Sequence, residues 1–382
     1  MQARTWLTGL GLAGALWVCG TARAATDSTA ATRRSMPAHS QLLLGFSAGR
    51  GHDDNVLQLT RQSLDLFTNR PGPPRFLISR VGDMATIARG SLRWRGRLLQ
   101  RRETRLELDA ALHRYDHDRV FDWQQYELSA TQELTASKRN LTSVELFGGR
   151  IPKYYLGEIR DIDESVAAQR PNNNPIRNSL IYAQSSEGLR LRQELLHGRF
   201  AFGAGAERSH RDFSQHFLER VYSNDLWRFS VEATPFQSWA AVTRVSWLRG
   251  TLTARGDLPD TLGVTQSNIS YDHDGIGVSL GLPWGRGRWR GRFESSFTPE
   301  VRHYTTDNKF EIVRFGRENH RRDTKLRVTQ RVWGPLEAVA TWERLISRAE
   351  FHEGISFPPE QTNFNQEQFG IELRARWELA LH

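Results

Sequence analysis

Cysteine, lysine and long apolar runs are scarce in this chain. Its 382 residues include one cysteine, Cys19, and only four lysines, although lysine and arginine together number 52. After the first segment no stretch of eighteen apolar residues occurs, which argues against a membrane-spanning helix. If the segment carrying Cys19 is removed, the remaining chain has no thiol, which excludes disulfides and cysteine-bound metals.

The first 24 residues have the composition of a secretory signal. Arg4 precedes a short apolar run at residues 6–18, and Ala22-Arg23-Ala24 forms an A-x-A cleavage site. The run is too short to cross a membrane as a helix. We therefore expect residues 1–24 to be a signal peptide, residues 25–40 to be a flexible periplasmic lead-in, and residues 41–382 to form the folded domain.

The charge is basic but dispersed. The formal net charge is +9, and it becomes +7 without Arg4 and Arg23; the isoelectric point is near 10.1. Such values can indicate nucleic-acid binding, but the arginines are spread along the chain rather than clustered in one helix or tail. In an exported protein this distribution predicts no nucleic-acid partner.

Residues 368–381 alternate with a period of two, which is typical of a strand with one apolar and one polar face. The same residues placed on a helix would not form one apolar stripe. The segment is long enough to cross a bilayer as a tilted strand. The apolar set is Phe369, Ile371, Leu373, Ala375, Trp377, Leu379 and Leu381.

About fourteen segments of this kind follow one another along the chain. They are joined alternately by long polar loops, such as the one at residues 50–83, and by short turns. The short turns fall near residues 97–102, 135–140, 196–198, 234–238, 283–287 and 333–335. The sequence therefore predicts an all-β fold: a transmembrane antiparallel up-and-down β-barrel of about fourteen strands with short periplasmic turns and long extracellular loops. A mean hydropathy of −0.57 is compatible with this fold, because only alternate residues meet lipid.

The alternation, the turns and the closing strand resemble those of Gram-negative outer-membrane β-barrels. A count of fourteen strands is similar to that of fatty-acid channels and some monomeric porins. Residues 51–56, Gly-His-Asp-Asp-Asn-Val, are similar to a Gly-x-Asp-x-Asn-Val segment in barrels of surface-lipoprotein exporters. The lead-in is too short for the helical-repeat domain of those exporters, and the chain ends on Leu381-His382 rather than on an aromatic residue. The resemblance implies the cell outer membrane as location, and lipids, lipopolysaccharide and the barrel-assembly machinery as partners.

The polar faces of the strands carry many charges of both signs, which we expect to line a lumen. One interpretation is that cross-strand ion pairs stiffen the wall. The other is an arginine ladder that binds anionic solutes, since rings of arginine favour anions. The candidate solute-binding residues are Arg89, Arg93, Arg95, Arg97, Arg288, Arg290 and Arg292.

Three His/Asp clusters occur where strands meet the predicted outer loops, and Tyr-Asp-His-Asp appears twice, at residues 115–118 and 271–274. Imidazole and carboxylate groups could bind a divalent ion or form a hydrolytic pair. Adjacent strand residues point to opposite faces, so a solvated polar rim is the simpler interpretation. The weak metal candidates are His52, Asp54, Asp116, His117, Asp272 and His273.

These features predict an outer-membrane channel or exporter component that passes small solutes, anionic ones among them, without a cofactor or catalysis. One alternative is a rim hydrolase acting on lipid or peptide, with His117 or His273 as base. Another alternative is a structural or assembly barrel that does not conduct.

Overall fold

The computed structural model describes most of the chain from residue 40 onward. The described residues are 40–56, 58–69, 80–98, 102–137, 139–155, 181–196, 198–213, 221–234, 241–254, 269–285, 289–306, 314–351 and 362–381. The predicted signal peptide and nearly all of the predicted lead-in lie outside them, as do the middle parts of several predicted loops.

Fourteen strands and one α-helix make up the described fold. The strands are β1 (Ser40–Asp53), β2 (Asp83–Arg97), β3 (Glu103–Tyr115), β4 (Trp123–Ala136), β5 (Leu141–Tyr155), β6 (Ile181–Leu195), β7 (Phe200–Phe213), β8 (Tyr222–Ala233), β9 (Val242–Ala254), β10 (Tyr271–Trp284), β11 (Gly291–Tyr304), β12 (Arg317–Trp333), β13 (Leu336–Phe351) and β14 (Phe364–Leu381). The helix α1 (Arg61–Asn69) follows β1, and a 3-10 helix (Arg119–Phe121) precedes β4.

Every strand pairs with its sequence neighbours in an antiparallel sense, and the sheet closes on itself where β1 pairs with β14. The closing register runs from Ser40 opposite Leu381 to Asp53 opposite Gln368. Closure leaves no edge strand, and it satisfies the backbone groups that would otherwise be exposed to hydrocarbon. The predicted fold class and strand number are confirmed.

The outward face has two zones. Toward the short turns it is apolar and exposed on strand after strand, with Phe46, Leu128 and Leu373 as examples. Toward the long connections it is polar, because Arg50, Arg208 and other charged residues occupy the same alternate positions. An exposed apolar surface around a closed sheet contacts lipid, whereas the charged zone lies beyond the hydrocarbon.

The outer ends of several strands extend past the predicted boundaries. The predicted loop at residues 50–83 loses its first residues to β1 and contains α1, and the polar residues Asn319 and His320 lie within β12. Beyond the lipid both faces of a strand carry polar residues, so the alternation of hydropathy disappears although the backbone pairing continues. Because the alternation of polar and apolar residues is lost there, the sequence predicted the loop after β1 to begin too early.

Within the described residues, no helix is long and apolar enough to cross a membrane.

Candidate functional site in the lumen

Strand parity places the charged side chains on the inward face. The inward cations are Arg89, Arg93, Arg95, Arg97, Arg105, Arg190, Arg192, Arg211, Arg228, Arg244, Arg292, Arg302, Arg317, Arg321, Lys325, Arg327, Arg331, Arg374 and Arg376. The inward carboxylates are Asp53, Asp83, Glu103, Glu107, Asp109, Glu127, Glu133, Glu145, Glu194, Glu207, Glu232, Glu294, Glu300, Asp323, Glu337, Glu343, Glu372 and Glu378. The two sets are nearly equal, so the described wall has little net charge.

Between β2 and β3 the charged side chains pair directly, diagonally and within one strand. Arg93 lies opposite Glu107, and its Nε and Nη2 donate to the two carboxylate oxygens at 3.0 and 2.8 Å. The Arg95 Nη2 donates to Glu103 Oε2 at 2.5 Å, and Arg105 pairs with the other oxygen of Glu103. Pairing across strands stabilises this part of the wall.

Arg89 connects β2 to the seam between the first and last strands. Its guanidinium group pairs with Glu372 of β14, which also accepts a hydrogen bond of 2.9 Å from the Ser47 hydroxyl of β1. Glu372 is almost fully buried. The Glu372 carboxylate therefore links β14 to β1 and β2 across the closure of the barrel.

Two further groups of pairs continue around the periplasmic half. Glu232 accepts from Arg192 at 2.8 Å and also pairs with Arg244. On the opposite side of the described sheet, Lys325 lies 3.0 Å from Glu343 and 3.2 Å from Asp323.

The predicted arginine ladder is therefore largely an ion-paired wall. Arg89, Arg93 and Arg95 have the partners described above, and Arg292 Nε lies 2.8 Å from Glu294 Oε1. Arg97 is exposed at the last position of β2, and Arg290 is exposed just before β11 begins. Arg288 lies outside the described residues. A role of these arginines in solute binding stays a prediction.

The outer half of the lumen is lined differently. Its inward side chains are buried on almost every strand; Arg211, Leu248 and Ser347 are each 1% exposed. Fourteen strands spaced about 4.8 Å apart and tilted by about 40° enclose a cylinder of radius about 14 Å, too wide for opposite walls to meet. These side chains are therefore buried against their neighbours along the wall, as the contacts of Arg211, Arg302 and His273 show.

Tyrosine and arginine alternate along this buried outer wall. The Arg211 guanidinium carbon lies 4.1 Å from the ring centroid of Tyr182 and 4.5 Å from that of Tyr222. Arg302 lies over Tyr271 at 4.9 Å in the same way. Cation–π contacts of this kind are strongest when the charge is desolvated, as it is here.

The Asp-Asn-Val segment after β1 turns into the lumen and is held there by the seam. The buried Asp53 carboxylate accepts hydrogen bonds from Gln366 at 2.8 Å and from Gln368 at 2.8 Å, both on the inward face of β14. Asn55 donates to the carbonyl groups of Asn365 and Leu59 at 2.8 and 3.0 Å.

Two more contacts fix the same segment: Gln58 donates to Gln366 at 3.0 Å, and Leu59 is fully buried. We call Asp53, Asn55, Gln366 and Gln368 the seam latch. The sequence analysis identified the motif but not its role; the signal it missed was the pair of glutamines at alternate, inward positions near the start of β14.

The six metal candidates do not converge. His52 and Asp272 lie on the outward face, and Asp54 accepts a hydrogen bond from the Glu367 backbone. The Asp272 carboxylate accepts from Thr251 at 2.8 Å. Among the described residues, no group of three or more metal-binding side chains is brought together.

The two candidate catalytic histidines lie in different surroundings. His117 Nδ1 is 2.8 Å from the Asp83 carboxylate, which also accepts the backbone N–H groups of His117 and Asp118. His273 is 2% exposed in the lumen wall, 3.2 Å from the Asn224 side chain and 3.6 Å from Glu300. Both histidines lie near the outer ends of strands, and a catalytic role for either stays a prediction.

Asp116 and Asp122 complete the rim near His117. Asp116 forms a bidentate ion pair with Arg50 on the outward face of the barrel. Asp122 lies between the 3-10 helix and β4 and accepts the Tyr115 N–H at 2.7 Å. Burial raises the pKa of the Asp122 carboxyl above its ordinary value, and the hydrogen bond from Tyr115 opposes this shift.

No protein-family model and no curated protein matches the chain. Among solved structures, it is similar to a loop-deleted OmpT, an outer membrane protein of Vibrio cholerae, with 9% identity, a TM-score of 0.42 and coverage of 89% of this chain and 100% of that one. It is similar to a TodX monoaromatic hydrocarbon channel mutant with 10% identity, a TM-score of 0.40 and 91% coverage of both chains. It is also similar to an anion-selective porin from Comamonas acidovorans, with 7% identity, a TM-score of 0.38 and coverage of 88% of this chain and 100% of that one.

The class of the protein follows from its own geometry. A closed antiparallel barrel of fourteen strands, an exposed apolar band on its outer face and a charged inner face define a multi-pass outer-membrane β-barrel.

Proposed function

We propose that the protein is a non-enzymatic outer-membrane channel for small hydrophilic solutes. The observation that supports this proposal is the periplasmic half of the lumen, where charged side chains line a space too wide to be closed by the wall itself. Charged inner faces of this kind provide a hydrated path through a bilayer.

The same wall sets the expected selectivity. Since most of its described arginines face carboxylates, the lumen presents alternating charges rather than a ring of one sign. We expect weak selectivity with a small preference for anions, in place of the strong anion selectivity that an unpaired arginine ladder would produce.

The outer half of the lumen is the barrier in this proposal. Its inward side chains are buried on almost every strand, whereas burial is mixed in the periplasmic half: Glu232 and Glu372 are buried, but Arg97, Arg331 and Glu378 near the strand ends are exposed. Solutes therefore fill the lumen from the periplasmic side and pass only when the outer half opens.

Single-channel recording of the refolded protein in planar bilayers tests the proposal. We expect small current steps and a reversal potential close to zero in a tenfold salt gradient, displaced slightly toward the anion value. Heat-modifiable migration on a denaturing gel provides the control that the barrel is folded. A folded barrel that passes no current, also after the seam latch is removed, contradicts the proposal.

A further inference from the structure

One sector of the inner wall, next to the closing seam, is floored by glycine and serine. The inward positions of β1 in this sector are Gly45, Ser47, Gly49 and Gly51, and Gly370 of β14 lies opposite Gly51. The small residues leave room above β1 for side chains of the flanking strands. The ion pair between β2 and β14 described above crosses β1 through this space.

Four arginines meet in this sector. Arg374 lies opposite Ser47 of β1, which lies opposite Arg89 of β2. Arg376 is the next inward residue of β14, about 7 Å from Arg374 along the strand. Arg327 of β12 and Arg376 both act on Arg374 electrostatically, and Arg89 and Arg376 both act on Arg327. The four charges therefore form one group.

Three carboxylates face this group, and two of them are bound more closely by other arginines than by Arg327 or Arg374. Glu372 is paired with Arg89. Glu294 Oε1 lies 2.8 Å from Arg292 Nε, whereas Glu294 Oε2 lies 4.0 Å from Arg327 Nε. Neither carboxylate neutralises the arginines of β14.

The third carboxylate is Glu337, the register partner of Arg374 on β13. Its Oε2 lies 3.8 Å from Arg376 Nε, which is a loose contact. Arg331, its register partner on β12, donates to the Gly334 carbonyl at 2.9 Å. Within the described strands Arg374 itself forms no hydrogen bond and no ion pair.

The group therefore keeps an excess of positive charge. Five guanidinium groups, of Arg89, Arg292, Arg327, Arg374 and Arg376, face the three carboxylates of Glu294, Glu337 and Glu372, an excess of two. Arg331 and Glu378, one charge of each sign, lie at the periplasmic edge of the group. Toward the outer half, Asp323 and Glu343 share Lys325 at 3.2 and 3.0 Å.

Another pair of arginines at the same spacing is neutralised. Arg190 and Arg192 occupy two successive inward positions of β6, as the arginine pair of β14 does on its own strand. Arg190 Nη1 lies 3.2 Å from Glu145, and Arg192 donates to Glu232 at 2.8 Å. The excess of positive charge at the seam is therefore a local feature of a wall that is otherwise nearly neutral.

The group is open to the lumen. The Arg376 side chain is 51% exposed, the Arg89 side chain is 38% exposed, and Arg374 is partly exposed. Planar guanidinium groups bind phosphate oxygens through paired hydrogen bonds, and like charges at this spacing repel one another unless an anion lies among them. An excess of two charges, presented by donors from two strands, matches a dianion with several oxygens.

We propose that Arg327, Arg374 and Arg376 form a binding site for a dianionic phosphate group, as inorganic phosphate or as a phosphate monoester, on the inner wall beside the seam. Arg374 is its central ligand. The inference rests on the proposed function in one respect, because solutes must reach the site through the periplasmic half of the lumen. It names the class of solute that this half retains.

The test compares two double variants that each remove two successive inward arginines from one strand. Arg374→Gln with Arg376→Gln removes the proposed site, and Arg190→Gln with Arg192→Gln removes the neutralised pair of β6. Each protein is refolded in detergent. Isothermal titration calorimetry at constant ionic strength then measures binding of inorganic phosphate, of glycerol phosphate and of nitrate, a monovalent oxyanion.

We expect the natural protein and the β6 variant to bind inorganic phosphate equally well, and nitrate about tenfold more weakly or worse. The β14 variant should bind phosphate about tenfold more weakly than the natural protein. Equal weakening in both variants, or nitrate binding as tight as phosphate binding, would overturn the proposal. Binding of glycerol phosphate as well supports a monoester as solute, and its exclusion supports the free ion.

Planar-bilayer recording in chloride separates this inference from the proposed function. A folded protein that binds phosphate but passes no current contradicts the channel and leaves the site in place. A conducting protein that binds no phosphate contradicts the site and leaves the channel in place. If a double variant does not refold, Arg374→Gln alone, compared with Arg190→Gln alone, gives the same contrast.

Discussion

The periplasmic and outer halves of the lumen are built on the same fourteen strands but hold their charges in different ways. In the periplasmic half, pairs such as Arg93–Glu107 lie along the wall and remain partly exposed. In the outer half, Arg211 and its neighbours are buried and packed on tyrosine rings. One barrel wall can therefore keep its charged side chains partly exposed at one end and buried at the other.

The seam latch lies in the outer half only, and we expect its removal to change single-channel conductance more than any other substitution considered below. Asp53→Ala combined with Gln366→Ala removes the hydrogen bonds that link Asp53 and Gln58 to the inward glutamines of β14. We expect the outer half to loosen and single-channel conductance to rise severalfold. Planar-bilayer recording measures this change.

A matched control for that experiment is Arg208→Ala with Asp225→Ala, a pair that lies on the outer surface. It should leave conductance unchanged. Equal conductance in the latch variant and the natural protein would mean that the latch does not close the lumen.

Single charges in the periplasmic half should shift selectivity without opening the barrel. Glu107→Gln leaves Arg93 without its partner across the strands and should displace the reversal potential toward the anion value, by a few millivolts to about 20 mV in a tenfold gradient. Arg93→Gln should displace it in the opposite direction. Shifts of the same sign in both variants would contradict a hydrated, charge-lined path.

In the outer half, the free energy of unfolding should depend on the stacking of arginine on tyrosine and not only on the positive charge. Arg211→Lys keeps the cation but removes the planar group between Tyr182 and Tyr222. We expect a loss of about 1–2 kcal/mol in the free energy of unfolding. Urea titration followed by tryptophan fluorescence measures it, and Arg208→Lys on the outer surface should cost less than half as much.

The smallest effect is expected outside the lumen. A double-mutant cycle on Arg208 and Asp225 should return little or no coupling, because the pair is exposed and screened by solvent. The same cycle on Arg93 and Glu107, which are less exposed, should return more. Equal couplings would remove the distinction between the outer surface and the lumen wall.

The sequence was sufficient for the barrel because lipid enforces alternation. Residues such as Leu373 and Arg374 must face opposite ways across a wall one strand thick, so the period of two predicts strands, faces and turns together. Pairing of Arg93 with Glu107 also follows from register once the turn between β2 and β3 is placed.

The burial of the outer half was not predictable in the same way. Tyr182 and His273 are buried by side chains of neighbouring strands, such as Arg211 and Asn224, and no period in the sequence reports these contacts. The Asp-Asn-Val motif stood out, but its partners Gln366 and Gln368 are more than three hundred residues away along the chain. Their meeting depends on closure of the whole sheet.

The position of the seam latch also has a consequence for the order of assembly. Its residues come from the first and the last strand, so the bonds around Asp53 cannot form until β14 has been exported and paired with β1. Formation of these bonds and closure of the wall thereby become one late event. A barrel that lacks its final strand keeps its side open and leaves Asp53 without Gln366 and Gln368.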